Sequence, residues 1–347
     1  MDIIATEKSD TPQRDAWFDN VKFVLIFLVV AGHMLEPLDY GPAYLLIYSF
    51  HIPLFVFVSG YFSRNFAKAG NERKLIERLV IPYIVFEVAY SVFDWWLFDR
   101  PKLTFSPFSP YWITWFLFSM VLWRASLPYV SRLRMALPIS LLVGLAAGYS
   151  GSIGYFGSLS RTLVFMPFFL AGVVFKPRVL QDALRPPVRG AVFRILAVIL
   201  LASAYAFFLT GDRDRLHQWF YGSFSYESMR ITGWPAAGYR LCEYAVACVL
   251  SASVLILVPS RKIPLLTASG RNTMYVFLLH GFVARLWLES KWFQQFDSIS
   301  GKAMILGGAL IITLILSSRA VRIVFRPLVE PRLDFLFKRG QDGPTKC

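Results

Sequence analysis

The chain is dominated by a succession of apolar stretches, each close to the ~20 residues that a helix needs to cross the hydrocarbon of a bilayer. Ten can be marked, at 20–38, 43–62, 76–98, 109–128, 135–152, 162–176, 190–210, 238–258, 272–289 and 303–323. In lipid every backbone N–H and C=O needs a partner inside the protein, so only helices or a closed barrel can span it, and apolar runs of this length are helical. The expectation is an all-α, polytopic membrane protein, a bundle of about ten transmembrane helices. The fifth and sixth stretches are short and Gly-rich, and a count of eight or nine is the alternative. Composition agrees: of 347 residues 56% are apolar and 17% charged, with a mean hydropathy of +0.51. A soluble chain carries about a quarter charged residues.

The formal net charge of +14 would suit a nucleic-acid partner, but the Lys and Arg residues sort by loop. With the N-terminus inside, the even-numbered connections and the C-tail hold 26 of the 36, and the other side holds 10. This is the cytoplasmic excess that orients membrane proteins. It places both termini in the cytoplasm and leaves no need for nucleic acid. The chain then divides into an N-tail (1–19), a transmembrane region (20–323) and a C-tail (324–347). Residues Met1 to Asn20 are mixed polar and read as no cleavable signal, so the first helix is expected to stay. Cys242, Cys248 and Cys347 fit neither a disulfide framework nor a zinc site. The long outward loop 211–237 carries Trp219, Tyr221, Tyr226 and Trp234 among polar groups. These suit either carbohydrate stacking or an interfacial aromatic belt, and the belt is the expectation. No internal repeat or pair of broken helices marks a secondary transporter.

Ionisable residues inside spans are costly and point to function. In the first span Lys22 and His33 stand eleven residues apart. That is about three turns, so they share a face roughly 16 Å apart along the axis. Asp19 is placed to cap the helix start, and Glu36, three residues after His33, can orient its imidazole. Lys22 alone could equally be a snorkelling anchor, and His33 a structural hydrogen-bonder. Acid–base work suits His33, because only His titrates near neutral pH unperturbed. The second span brings His51 to similar depth, with Pro53 marking a helix start or kink. Phe55, Phe57 and Phe62 there read as ordinary lipid-facing or packing residues. Arg64, Arg73, Lys74 and Arg78 then form a basic cluster that either sets topology or docks a polyanionic cofactor. Trp112 and Trp115 open the fourth span, Arg161 precedes the sixth, Ala171-Gly172 allows close helix approach, and Tyr275 and His280 lie in the ninth. Three of the four histidines therefore fall within spans. None is spaced for zinc, and no metal is expected.

These pieces together resemble the integral-membrane acyltransferase family 3, in particular its branch similar to fucose 4-O-acetylases. The resemblance covers nearly the whole chain. It rests on Phe18-Asp19-Asn20-Val21-Lys22 through Ala31-Gly32-His33, Phe50-His51-Ile52-Pro53-Leu54-Phe55 through Ser59-Gly60-Tyr61-Phe62, and Arg78 with Leu79-Val80-Ile81-Pro82-Tyr83. It continues through Trp115-Phe116-Leu117, Pro167-Phe168-Phe169 with Gly172, and Tyr275 through His280. What it implies is transfer of an acyl group, usually acetyl, from cytoplasmic acetyl-CoA to a hydroxyl of a cell-surface or lipid-linked carbohydrate, in the plasma (inner) membrane. In the broad family an Arg stands where this chain has Lys22. Lys keeps the charge but loses the bidentate fork. No hydrolase-like domain follows the tenth span, so any second transfer step would need another protein. On this resemblance His33 is the general base or covalent acyl carrier, with Glu36 holding its imidazolium. Lys22, Arg73, Lys74 and Arg78 would bind the CoA phosphates. His51, Arg161, His280 and Trp115 would form the acceptor side. The rival expectation is a transporter or flippase of a lipid-linked sugar, with the histidines as a proton relay.

Overall fold

A computed structural model describes residues 16–331 except 39, 69, 99–102, 104 and 155, together with 333, 334 and 337. The N-tail up to residue 15, Arg100, Lys102, most of the C-tail and Cys347 lie outside the described residues. Among the described residues the chain is helical, with no strand. In order, the helices are α1 (Ala16–Leu35), α2 (Pro42–Tyr48), α3 (His51–Phe62), α4 (Glu72–Leu75), α5 (Ile81–Leu97), α6 (Trp115–Val130), α7 (Ala136–Ala147) and α8 (Leu159–Val174). They continue as α9 (Pro177–Leu184), α10 (Pro187–Thr210), α11 (Arg213–Tyr221), α12 (Pro235–Leu257), α13 (Pro264–Ser269), α14 (Thr273–Ser290), α15 (Ile299–Leu316) and α16 (Arg319–Val329).

Each of the ten expected spans falls on a helix, and seven helical segments are long and apolar enough to cross a bilayer. These are 16–35, 42–62, 112–130, 156–174, 187–210, 235–257 and 299–316. The third, fifth and ninth expected spans fall instead on α5, of 17 residues, on α7, of 12, and on α14, whose 18 residues include His280, Arg285 and Glu289. The tenth ends early: α15 stops at Leu316, and Ser318 caps α16 through its side chain, so the segment expected up to residue 323 breaks into two helices.

Proline explains where the second span bends. Pro53 has no N–H and its ring collides with the carbonyl four residues back, at Ser49. The helix breaks there, between α2 and α3. The His51 ring then donates from Nδ1 to Ile47 O at 2.8 Å, satisfying a carbonyl loosened by the break. Pro82 acts similarly on the third span. The turn before it, Ile76–Val80, is a π-helix, with Ile81 N reaching Ile76 O.

Burial sorts the helices. In α1, 72% of the span is enclosed, whereas in α10 only 11% is, and Val192, Ile195, Val198 and Ile199 point outward. An outward apolar face of this kind is solvated by lipid. α1 packs on α13, α14 and α15 on one side and on α2 and α3 on the other. The expected N-cap role of Asp19 does not hold. α1 already runs at Ala16, and Asp19 lies buried in its first turn, 2.7 Å from Lys22 Nζ and 3.2 Å from Arg271 Nε. The carboxylate serves two cations rather than the helix end.

α3 and α8 pack with their backbones close together, and a reciprocal pair of glycines allows it. A Cβ on Gly60 would lie 2.0 Å from Phe169 O, and one on Gly172 would lie 1.9 Å from Phe57 O. Both obstacles are backbone, which cannot rotate away. Small residues let membrane helices approach through dispersion and backbone contact where no hydrophobic force is available. Gly60→Ala or Gly172→Ala is therefore expected to destabilise the protein by at least the ~1–3 kcal/mol typical of overpacking. Thermal unfolding in detergent measures this, and a substitution at Gly307, where a Cβ meets nothing within 4 Å, is the control.

Candidate active site

Residues from α1, α2, α3, α6, α8, α11 and α14 converge around His33. The ring sits in the last turn of α1, its side chain 16% exposed, and its Nδ1 lies 3.1 Å from Glu36 Oε2. With Nδ1–H donating to the carboxylate, the lone pair lies on Nε2, which is left for a reacting group. Glu36 is held in turn: Tyr221 OH donates to its Oε1 at 2.8 Å, and Tyr44 OH donates to Tyr221 at 3.0 Å. Burial alone would push the Glu36 carboxyl up. The hydrogen bond and charge of His33, the Tyr221 hydroxyl and the Arg161 guanidinium outweigh that and hold it below the ordinary value of 4.5. Glu36 is a carboxylate at neutral pH.

The other intramembrane histidines arrive from different helices. His280, on α14, has its ring 5.4 Å from that of His33. Its Nδ1 lies 3.0 Å from Val276 O and 2.8 Å from Phe277 O, so it donates there, and Nε2 is buried with no hydrogen-bond partner. A neutral ring in this tautomer presents an acceptor, not a donor. His51, from α3, lines the same cavity as His33, together with Trp112, Trp115 and Arg161. Arg161 donates from Nε to Tyr221 O at 3.2 Å and stacks its guanidinium 4.9 Å from the Trp115 ring. His33, Glu36, His51, Trp115, Arg161 and His280 are thus brought into one site.

Trp112 packs edge-on against His33, ring centroids 4.9 Å apart, from a backbone at φ 36°, a region costly for a residue with a side chain. Glu87, buried on α5, secures that turn: it accepts from Tyr111 N at 2.9 Å and from Thr114 Oγ1 at 2.6 Å. On the far side of His33 from the bundle interior, Glu36, Tyr40, Tyr111, Trp112 and Arg285 line an open vestibule. Asp94 holds Arg285 there at 2.8 Å and also bonds Tyr111 OH.

At the other end of α1, Lys22 lines a second cavity with Ser59, Phe62 and Arg124. Arg124 Nε donates to Ser63 Oγ at 2.9 Å, and its guanidinium lies 4.5 Å from the Phe66 ring. Of the expected basic cluster, none lines this cavity. Arg78 stands exposed on the π turn, close enough to Arg124 for their charges to repel. Lys74 is exposed and reaches only Asn71, at 3.5 Å. Arg73 is engaged by Glu77 at 3.1 Å, by Asp334 and by the Phe337 ring. Among the described residues, no group of three or more His, Cys, Asp or Glu is placed to hold a metal ion.

Several of these residues escape a reading by motif. Arg124 lies inside an expected span, 109–128, and so carries the same signal as Lys22. Tyr221 differs from the belt expected for its loop, because the loop folds inward at α11 and places its hydroxyl on Glu36. Trp234, by contrast, is 85% exposed, as a belt residue should be. Phe55 is no lipid-facing filler either, since it lines both the His33 and the Lys22 cavities.

Comparison with known proteins gives this arrangement its class. A family model described as an acyltransferase domain, acyltransferase 3, matches residues 15–318. The chain belongs to the acyltransferase 3 family, and with its apolar helices it is a multi-pass membrane acyltransferase. Among curated proteins it is similar to Nodulation protein NolL of Sinorhizobium fredii, 38% identical over 85 residues, covering 20% of this chain and 23% of that protein. It is also similar to Nodulation protein NolL of Mesorhizobium japonicum, 36% identical over 88 residues, covering 21% of this chain and 23% of that protein. The chain thus matches about a quarter of the length of these relatives. No solved structure matches it.

The Glu36 contacts yield a pH prediction. Tyr221→Phe removes a hydrogen bond that favours the carboxylate, so the Glu36 carboxyl takes up its proton at a higher pH than in the wild type. The acid-side loss of acyl transfer should therefore begin at higher pH in Tyr221→Phe. Paired pH–rate profiles measure the displacement, and coincident acid limbs would show that Glu36 plays no part in turnover.

Proposed function

We propose that the protein moves an acetyl group from acetyl-CoA, entering from the cytoplasm, to a hydroxyl of a cell-surface or lipid-linked carbohydrate. It would do so in the plasma (inner) membrane, with ten spans and both termini in the cytoplasm. The observation that carries this reading is the pairing of His33, its Nδ1 tied to Glu36, with a cationic cavity at the opposite end of the same unbroken helix. The eleven residues from Lys22 to His33 set about 16 Å between them, a distance an extended pantetheine arm can bridge.

In the proposed reaction the acceptor hydroxyl gives its proton to His33 Nε2 as its oxygen attacks the thioester carbonyl. The C–S bond then breaks, and the imidazolium returns the proton to the departing thiolate sulfur. Glu36, ionised and fixed by Tyr221, stabilises the imidazolium while it exists. His280, its ring 5.4 Å from that of His33, backs the imidazole and shapes the acceptor side of the site. Lys22 and Arg124 attract the phosphates of CoA at the inner cavity, with Arg78 and Lys74 exposed at the same end to draw them in. Arg73, already occupied by two carboxylates, contributes less. Carbohydrate as acceptor is supported by the family and by the vestibule, which Tyr40, Tyr111 and Trp112 line beside Glu36 and Arg285.

A transporter would use the histidines as a proton relay but would have no reason to cleave a thioester. Purified protein with acetyl-CoA and acceptor glycans separates the two. His33→Ala should lower acetyl transfer by the ~10²- to 10⁴-fold that placed proton transfer contributes. Its yield should stay near wild type, since His33 lies at a cavity wall and Glu36 keeps its hydrogen bond from Tyr221. Transfer by His33→Ala at the wild-type rate would remove the assignment.

A further inference from the structure

The cavity around His33 and the cavity around Lys22 share three lining residues, Phe55, Phe116 and Phe277. They come from α3, α6 and α14, so they meet across the space between three helices. Phe55 and Phe116 pack edge to face at 5.1 Å, Phe116 and Phe277 lie 5.4 Å apart, and Phe55 and Phe277 6.4 Å. The inner cavity measures about 200 Å³ and the outer about 70 Å³. Phe277 also joins the gate to the site: its carbonyl accepts from His280 Nδ1 at 2.8 Å.

We propose that Phe55, Phe116 and Phe277 form an acyl-size gate, walling the space at His33 so that it takes a two-carbon acyl group and excludes longer chains. The inference rests on the acyl-CoA reading above. A thioester arriving from the Lys22 end leads with its acyl group, because the sulfur trails on the CoA arm. The acyl group must therefore pass the three rings before the carbonyl reaches His33. The space beyond is small. About 10–15 Å³ of such volume holds one water, so the outer cavity has room for roughly five, and it must also admit the acceptor hydroxyl. An acetyl group fits that space, whereas a butyryl or hexanoyl tail, which runs ahead of its carbonyl, would meet the cavity walls before the carbonyl reaches His33. Apolar walls of this kind discriminate by steric fit, where each methylene changes preference about 10- to 200-fold.

The test uses purified full-length protein with acetyl-, butyryl- and hexanoyl-CoA and a pool of octyl fucoside, octyl glucoside and octyl N-acetylglucosaminide as acceptors. Free thiol and acylated glycoside are measured together. The expected wild-type preference for acetyl over butyryl is at least ~10-fold. Phe277→Ala and Phe116→Leu should each raise the butyryl-to-acetyl ratio by ~10-fold or more. The ratio is internal to each variant, so partial loss of folded protein does not distort it. Equal use of the three donors by the wild type, or an unchanged ratio in both variants, overturns the gate and leaves the acyl-CoA reading standing. A variant that melts as a folded protein yet transfers neither group also overturns it, since widening the passage should not block acetyl. No turnover of any donor by the wild type sinks the acyl-CoA reading itself.

Discussion

A helix enclosed along most of its length, with an ammonium at one end and an imidazole at the other, must find its polar partners inside the protein. α1 is in that position, and much of the surrounding architecture follows from it. At one end Asp19 binds both Lys22 and Arg271, drawing the segment after α13 against the start of α1. Asn20 next to it bonds the carbonyls of Pro259 and Arg261 at 2.8 and 3.0 Å and accepts from Thr267. At the other end His33 holds Glu36, Glu36 holds Tyr221, and Tyr221 holds Tyr44 and Arg161. Removing one partner from such a chain leaves a buried polar group unpaired, which costs about 1–3 kcal/mol. The same bonds that make α1 tolerable in a low dielectric therefore aim its imidazole.

Two chemical environments, a cationic cavity and a histidine cavity, are kept apart by phenylalanine rings rather than by polar groups. This suits a donor that is highly charged at one end and small and apolar at the other. In the proposed reading the charged part would gain from Lys22 and Arg124 and be repelled by the apolar partition, while the acyl group would lose nothing in passing it. On that reading, charge would keep one end of the donor behind, and the space the rings wall would decide which acyl group fits. The tight seam between α3 and α8, where Gly60 and Gly172 bring backbones together, anchors Phe55 and the neighbouring Phe57 on a rigid element.

The fold class was legible because length and apolarity suffice for it. The ten expected stretches all fall on helices, including the Gly-rich ones. The ends were less legible. Asp19 looks like a cap and is an ion-pair partner, and the stretch up to residue 323 hides a serine-capped break. The site was legible where an ionisable residue stands among apolar ones, as with His33, His51 and His280, because few other reasons place such groups there. Arg124 carries the same signal, near the end of its expected span. Tyr221 carried none, since a tyrosine in an outward loop is common at any membrane interface.

Everything that depends on neighbours along the chain can be read from the order of the residues. It sets the helices, the break before Pro53, the shared face of Lys22 and His33, and the reach of Glu36 back to the ring, three residues away. Which distant groups meet depends instead on how the helices pack. His280 arrives 247 residues after His33, Tyr221 185 residues after Glu36, and Phe277 closes on Phe55 across 222. Helical periodicity places a residue on a face but says nothing of which helix that face will meet. Close approach and side-chain packing between helices settle that question, and neither has a period in the sequence.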